Sequence, residues 1–491
     1  MSKSVIIIGA GFSGLSAAAF MAKAGWQVTV IEKMDTAGGR ARQFRQNGFT
    51  FDMGPSWYWM PDVFEHFFEQ FGKKTTDYYS LQRLDPSYRV YWENEQLDIP
   101  ADYHLLRQVF EQIEKGSSLR LDNYLTEANE KYKIGMKDLV FKPGLSVKEF
   151  ISWKMLRKAL KLSIFTSIRS HINGYFKDQR LRQLMEFPVL FLGALPQNTP
   201  ALYSLMNYAD IVGGTWYPKG GMFSIINGMK KLADELGVTF QFNEEAASLN
   251  IIDGSIKELR TNKNTYKADA VISGADYYFT ETNLLPPAYR SYSEKYWNSR
   301  VLAPSCLLYY IGLNKKLDNV PHHSLFFDVP FNQHAAQIYS SPQWPDEPLF
   351  YLSVSTRTET AMAPEGCESL VILIPVASGL KDDTEDLRLN YLNKVITRLE
   401  KHTGQSIADA VIVRKTFSVS DFAHDYNAFK GNAYGLANTL GQTAIFKPSC
   451  QSKKVNNLFY TGQFTVPGPG VPPSLISGEV VAAQVLKTFK A

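Results

Sequence analysis

Cysteine is scarce in this chain: three residues, Cys306, Cys367 and Cys450, are spread through 491 with no Cys-x-x-Cys spacing. That excludes a disulfide framework and a cysteine-based zinc site, and it fits a reducing, cytoplasmic compartment. Long apolar runs are missing too, and none approaches the roughly 18 to 20 residues that cross a bilayer as a helix. The stretch after Lys3 imitates a secretion signal, but Gly9, Gly11 and Gly14 punctuate it at nucleotide-loop spacing, so it reads as fold and not as address. Charge of one sign is lacking as well. A formal net charge of +4, with dispersed basic residues, gives no footprint for nucleic acid. Internal repeats and low-complexity tracts are absent, and no cluster suggests a metal.

What is abundant is apolar and aromatic. Hydrophobic content of 45% with 20% charged residues is ordinary for a globular protein. Thirty-one Phe, 26 Tyr and 8 Trp suit a large aromatic core, an apolar cavity or a membrane-facing patch. The length exceeds what one hydrophobic core serves, so two or three interlaced domains are expected.

The strongest local pattern is at the N-terminus. Residues 5–8 form a β-branched run suited to a strand buried on both faces, and residues 15–24 read as an Ala-rich helix stopped by Gly25. A second strand at 28–31 completes a βαβ unit of a parallel sheet. Between strand and helix lie Gly9, Ala10, Gly11, Phe12, Ser13 and Gly14, the GxGxxG spacing of a dinucleotide loop. Gly9 allows the tight turn, Gly11 admits the pyrophosphate to the backbone, and Gly14 lets the helix pack closely. The helix N-terminus offers free N–H groups to phosphate. Glu32, followed by Lys33, closes the second strand 18 positions after Gly14, where its carboxylate can accept two hydrogen bonds from ribose hydroxyls.

FAD and NAD(P) share that fingerprint. Gly38, Gly39 and Arg40 favour FAD, since a second glycine pair lets the chain pass under a dinucleotide and sets a guanidinium near its phosphates or ring. A second GxGxxG, expected if NAD(P)H also bound, is not found.

Further on, the pattern changes character twice. Helical periodicity at 103–113 and 121–132 suggests a cap region. A helix at 223–236 and strands at 238–242, 247–252, 255–261 and 270–273 return to nucleotide-domain character. Segments near 306–312, 349–354 and 369–376 are β-rich, with a helix at 387–401. The last stretch, 457–490, reads as strand, Pro/Gly loop and helix. The expected fold is α/β, a Rossmann-type FAD-binding domain interleaved with an α+β substrate or cap domain and a helical membrane-facing segment. The first is assigned residues 1–60, 215–295 and 450–491, and the substrate and membrane region 61–214 and 296–449.

Three separated motifs carry a resemblance. The first runs from Val5 to Arg40 and on through Phe51, Asp52, Met53, Gly54, Pro55 and Ser56; the second is Tyr217 to Met222. The third is Asn457 to Gly462, followed by Pro467 to Val471 and by Ser477 and Gly478. In these the sequence resembles the bacterial-type phytoene desaturases of the flavin-containing amine oxidoreductase superfamily. Gln463, Phe464, Val466 and Pro469 depart from the usual pattern. The resemblance implies that Gly54, Pro55 and Ser56 contact flavin, that Gly462 ends a strand beside the pyrophosphate, and that Gly470 and Val471 present a helix N-terminus to the flavin.

It also implies an activity: FAD-dependent desaturation of a long polyene hydrocarbon, phytoene foremost, with oxygen or a quinone as terminal electron acceptor. No side chain declares itself as the base, so catalytic residues stay unassigned. Asp52 reads as a structural carboxylate, and Trp57, Tyr58 and Trp59 as core or channel lining. A lipid-borne substrate implies a peripheral site on the inner face of the cell membrane. Within 151–176, Trp153, Leu156, Leu160 and Ile164 share a helical face opposite Lys154, Arg157, Lys158 and Lys161. A later-step carotenoid desaturase, a flavin-dependent carotenoid isomerase and a non-enzymatic lipid carrier are the alternative readings.

Overall fold

Ser4–Ile8 has no polar alternation, and the computed structural model, which describes residues 2–149, 165–190 and 193–490, buries it at the centre of a five-stranded sheet. Across that sheet the order is Leu458–Tyr460, Ala270–Ser273, Ser4–Ile8, Gln27–Ile31 and Thr239–Gln241, all parallel. Val5 stands opposite both Ala270 and Val28, so three stretches far apart in sequence meet in one register. Val5, Ile7, Val28 and Val30 pack beneath helices, while Ile6, Ile8, Ile31 and Val271 pack with Ala246, Leu249, Ile256 and Leu259 of a three-stranded antiparallel sheet. Both faces are covered, which is why the strands read as continuous apolar runs.

The helix Phe12–Lys23 is built from small residues and packs against the C-terminal helix Val471–Lys490. Gly478 makes the approach possible, since a Cβ there would lie 2.5 Å from both Ser13 O and Ser16 Cβ. Hence the two ends of the chain form one wall of the nucleotide layer.

A second, seven-stranded sheet runs Val411–Phe417, Ser305–Leu313, Glu368–Val376, Phe350–Val354, His323–Phe326, Tyr88–Tyr91 and Gln96–Ile99. Its two faces are both apolar but face different partners. Leu307, Tyr309, Ile311, Leu352 and Ile372 pack on the helix Glu385–Thr403, through Leu392, Val395 and Leu399. The alternate residues Cys306, Leu308, Leu325, Tyr351 and Leu373 turn to the main core. That second face walls the site described below.

Helix limits move where caps lie beyond a local window. The expected helix at 121–132 spans Ser117–Ile134, because the Glu111 carboxylate accepts from Gly116 N at 2.6 Å and Ser118 N at 3.1 Å. The helix at 387–401 spans Glu385–Thr403, capped by Thr384 and ended by Gly404 in the left-handed region. Of the proposed amphipathic segment, residues 151–164 lie outside the described residues, and Ile168–Tyr175 is a separate helix capped by Ser167. Among the described residues no helix is long and apolar enough to cross a membrane.

Behind Trp59 runs a buried polar chain. Trp59 Nε1 donates to Thr215 Oγ1 at 2.9 Å, and Asp210 accepts from Tyr88 Oη at 2.9 Å and from Thr215 Oγ1 at 3.2 Å. Burial pushes the Asp210 carboxyl up to about 7, hydrogen bonds from Tyr88 and Thr215 only partly offsetting it. A raised folded-state pKa means the native state holds the proton more tightly, so stability is lost as pH rises from the ordinary carboxylate range towards 7. Asp210→Asn is therefore expected to flatten this decline and to raise stability at pH 8 by a few kcal/mol at most, on the order of 1.4 kcal/mol per pK unit removed. Urea unfolding at pH 5 and pH 8 measures it; an equal loss at both pH values counts against the assignment.

Candidate functional site

The site begins where the first strand ends. Gly9 takes φ +95°, a conformation open to glycine, and its N–H donates to Ile31 O at 2.8 Å. Gly11 precedes the first helix without a side-chain cap, and no atom lies within 4 Å of where its Cβ would be. Its exposed face and the uncapped N–H groups of Phe12 and Ser13 border a cleft enclosing about 1660 Å³, its open mouth included. Gly14 stands back from this cleft: a Cβ there would sit 2.0 Å from Gly9 O, so its role is the close seating of helix on turn.

Gly38 and Gly39, at φ +126° and +55°, carry the chain over the glycine turn, and a Cβ on Gly39 would come within 3.3 Å of Gly11 Cα. Gly54 locks the next segment against this turn, since its Cβ would meet Arg40 O at 2.1 Å. Gly9, Gly11, Phe12, Ser13, Glu32, Lys33, Gly39, Arg40, Gly54 and Pro55 all line the cleft, and from the C-terminal block so do Gly462, Gly470 and Val471. Ala10 and Ser56 do not. Ala10 N donates instead to Glu32, and Ser56 points onward toward Tyr351.

Glu32 is partly committed to the protein. Its Oε2 accepts from Ala10 N at 2.7 Å and its Oε1 from Met34 N at 2.9 Å, while burial pushes its pKa up. One lone pair on each oxygen is thus spent on backbone and the other stays open for the two ribose hydroxyls expected from the sequence; a buried carboxylate must be paired locally before any ligand arrives. Lys33 sits at the mouth, donating to His424 O at 2.9 Å and facing Glu245 at 3.3 Å.

Arg40 is half-buried. Its Nη2 donates to Asn432 O at 3.2 Å, its guanidinium lies 5.1 Å from the centre of the Tyr426 ring, and its shielded Nε has no hydrogen-bond partner. Burial lowers its pKa, with Asp276 opposing. A half-buried guanidinium with an orphaned donor, beside a glycine cradle and a free helix N-terminus, is the donor set a pyrophosphate requires. The residues present fit a dinucleotide.

Asp276 was missed by sequence reasoning, although it ends the Gly274, Ala275, Asp276 turn after a nucleotide-domain strand. It accepts from Phe429 N at 3.1 Å and Phe279 N at 3.3 Å, tying the cap loop to the cleft. Asp52 has the structural role read for it, accepting from Met222 N at 2.8 Å and Phe223 N at 3.2 Å at the start of the helix Phe223–Glu235. The motif from Tyr217 to Met222 therefore anchors on Asp52.

At its inner end the cleft is walled by Cys306, Leu308, Leu373 and Tyr434. Leu373 and Tyr434 also line a second chamber, whose other walls are Phe187, Leu325, Phe327, Ala335, Leu349 and Tyr351 among others. It encloses about 690 Å³ with its mouth, and its lining is almost wholly apolar. Of the three aromatic residues after Ser56, Trp57 packs against Phe187 and Tyr351 of that lining. Tyr58 and Trp59 turn into the core, bonded to Tyr79 and Thr215. Among the described residues no cluster of His, Cys, Asp and Glu could hold a metal.

Comparison with known proteins agrees with this geometry. The profile of the family described as flavin containing amine oxidoreductase matches residues 12–486. A carotenoid 3,4-desaturase of Haloarcula japonica is 38% identical over 98% of both chains. A zeta-carotene-forming phytoene desaturase of Myxococcus xanthus is 29% identical over 98% of this chain and 93% of its own. A 4,4'-diapophytoene desaturase of Staphylococcus haemolyticus is 31% identical over 99% of both. Among solved structures, an oxidoreductase from Methanosarcina mazei covers 98% of this chain and 100% of its own with a TM-score of 0.65 at 16% identity, a likeness of fold.

Proposed function

We propose, since this chain belongs to the flavin-containing amine oxidoreductase family in its carotenoid desaturase branch, that it introduces the 3,4 double bond into a long-chain carotenoid. FAD is its cofactor. The observation that carries the reading is the apolar chamber joined to the dinucleotide cleft through Leu373 and Tyr434. A hydrocarbon chain has no polar handle, so its reacting carbons are set by the shape of a dry channel that ends beside the cofactor.

FAD, when bound, supplies a two-electron acceptor, with oxygen or a quinone as its own oxidant. The chain's residues do the rest. The first-turn N–H groups, Arg40 and Gly462 would hold the pyrophosphate, Glu32 the ribose, and Gly470 and Val471 would flank the flavin. Leu308, Leu373 and Tyr434 align the substrate and exclude water. The identity to the 3,4-desaturase favours a late step on an already conjugated chain; the relatives that act on phytoene and diapophytoene support phytoene as the second reading.

A lipid-borne substrate calls for attachment to a membrane surface, and the inner face of the cell membrane is the place proposed. Leu145, Val147 and Phe165, which flank the basic stretch 151–164 in sequence, are exposed apolar residues, as is Phe446.

The test is to load purified protein with FAD, add liposomes holding phytoene or a conjugated carotene, and follow absorbance and product mass. Each desaturation shifts absorption to longer wavelength and removes two hydrogens. Unchanged mass with altered geometry indicates an isomerase, and no change with any carotenoid sinks the desaturase reading. Ala335→Phe, which fills the chamber, is expected to lower kcat/KM by about tenfold or more while leaving bound FAD unchanged. Wild-type turnover in that variant places the polyene elsewhere.

A further inference from the structure

The strand residues that wall the chamber are Leu325, Phe350, Tyr351, Leu373 and Pro375, and the polar group they carry is the Tyr351 hydroxyl. Tyr351 lines the chamber, and its Oη lies 2.7 Å from His323 Nδ1. The two belong to adjacent strands on the same face, His323 standing opposite Ser353 and Tyr351 opposite Leu325. The hydroxyls of Ser56 and Ser353 lie beside the Tyr351 hydroxyl and offset part of the effect of its burial. Ser56 directly follows Gly54 and Pro55 of the cleft wall, and Tyr351 stands opposite Leu373, which lines both chamber and cofactor cleft. Trp57 covers the pair, its ring stacked on His323 at 4.3 Å and 13°. The His323 Nε2 is buried without a hydrogen-bond partner. A buried histidine bonded only to a chamber tyrosine contributes little to stability, and a packing role would be met as well by an apolar residue.

We infer that Tyr351 and His323 form the proton acceptor for the deprotonation half of desaturation. This rests on the carotenoid desaturase reading above. FAD, when bound, would accept the hydride of an allylic C–H, leaving a cation spread over the polyene. The C–H on the neighbouring carbon then breaks and its electron pair becomes the new π bond; until it does the hydride can return to the cation, so net flavin reduction waits on proton removal. The released proton passes to Tyr351 Oη as the tyrosine's own proton moves to His323 Nδ1, giving an imidazolium and a neutral tyrosine. So acidic a C–H needs only a weak base, but one within reach in a water-free chamber. Burial and the neighbouring His322 keep His323 neutral at rest, ready to accept. Tyr351 touches substrate and is the catalytic residue; His323 acts through it.

Anaerobic stopped-flow flavin reduction tests this, using a carotenoid deuterated at the carbon that loses the proton. Tyr351→Phe and His323→Gln are expected to slow reduction by about tenfold or more and to enlarge the isotope effect at that carbon, as proton removal becomes limiting. FAD content, and carotenoid binding read by tryptophan quenching in the FAD-free protein, should stay at wild-type levels. Should one variant fail to fold, the other carries the test. Rates within about twofold of wild type, or slowing with an unchanged isotope effect, overturn the relay while wild-type reduction upholds the desaturase reading. A wild-type protein that no carotenoid reduces overturns both.

Discussion

Gly14→Val yields a chain that purifies without flavin. The β-carbon alone would stand 2.0 Å from Gly9 O, 3.1 Å from Gly9 C and 3.6 Å from Ile7 Cγ2. Two of these are backbone atoms of a turn held by Gly9 N–H to Ile31 O, so no side chain can rotate aside. Either helix or turn must shift by an ångström or so, and the N–H groups aimed at the pyrophosphate shift with it. Such displacement is worth about 100-fold or more in affinity. The ratio of flavin to protein absorbance, with far-ultraviolet circular dichroism as the check on folding, decides the matter. Gly11→Ala is the informative comparison. Nothing lies within 4 Å of its β-carbon, so the FAD-free protein should melt as wild type does while its affinity for FAD falls. Wild-type flavin stoichiometry in Gly14→Val would show that the turn does not hold the cofactor.

At Arg40 the expected effect has opposite consequences with and without FAD. The guanidinium is half-buried, bonded at Nη2 to Asn432 O, with its Nε shielded and unpartnered. Removing a poorly paired, half-buried charge removes a desolvation cost, so the FAD-free Arg40→Met protein should melt no lower than the FAD-free wild type. With FAD present the wild type gains charge-assisted bonds that the variant cannot make, a difference of roughly 2–4 kcal/mol or about 30- to 1000-fold in affinity. Thermal melts with and without added FAD measure both signs in one experiment. Equal stabilisation of the two proteins by FAD rules out Arg40 as a cofactor contact.

What was legible in the sequence was local. Strand, glycine turn, helix and Glu32 lie within one βαβ unit, where the backbone conformation each glycine permits and the burial each apolar run demands are properties of neighbours. Asp52 was legible as a structural carboxylate, and the helix it caps begins where the sequence placed it. The chamber was not legible. Strands such as Ser305–Leu313 and Glu368–Val376 are buried on both faces, so no alternation marks Leu308 and Leu373 as site and Leu307 and Ile372 as core. The bond from Ala10 N to Glu32 was not legible either, because it depends on how strand and turn close together.

By itself the sequence determined the dinucleotide turn, the single buried parallel unit around it and the kinship of the chain's two ends with one family. Those follow from short-range sterics and from motifs that survive as strings of letters. Tertiary structure decided which sheet face walls the chamber, since only the helix Glu385–Thr403 covering the other face distinguishes them. It also decided that Arg40 keeps a buried donor to spare beside Asn432, and that Tyr351 meets His323 on the neighbouring strand. Contacts of this kind join residues from 28 to 392 positions apart, and such contacts leave no local pattern from which to read them.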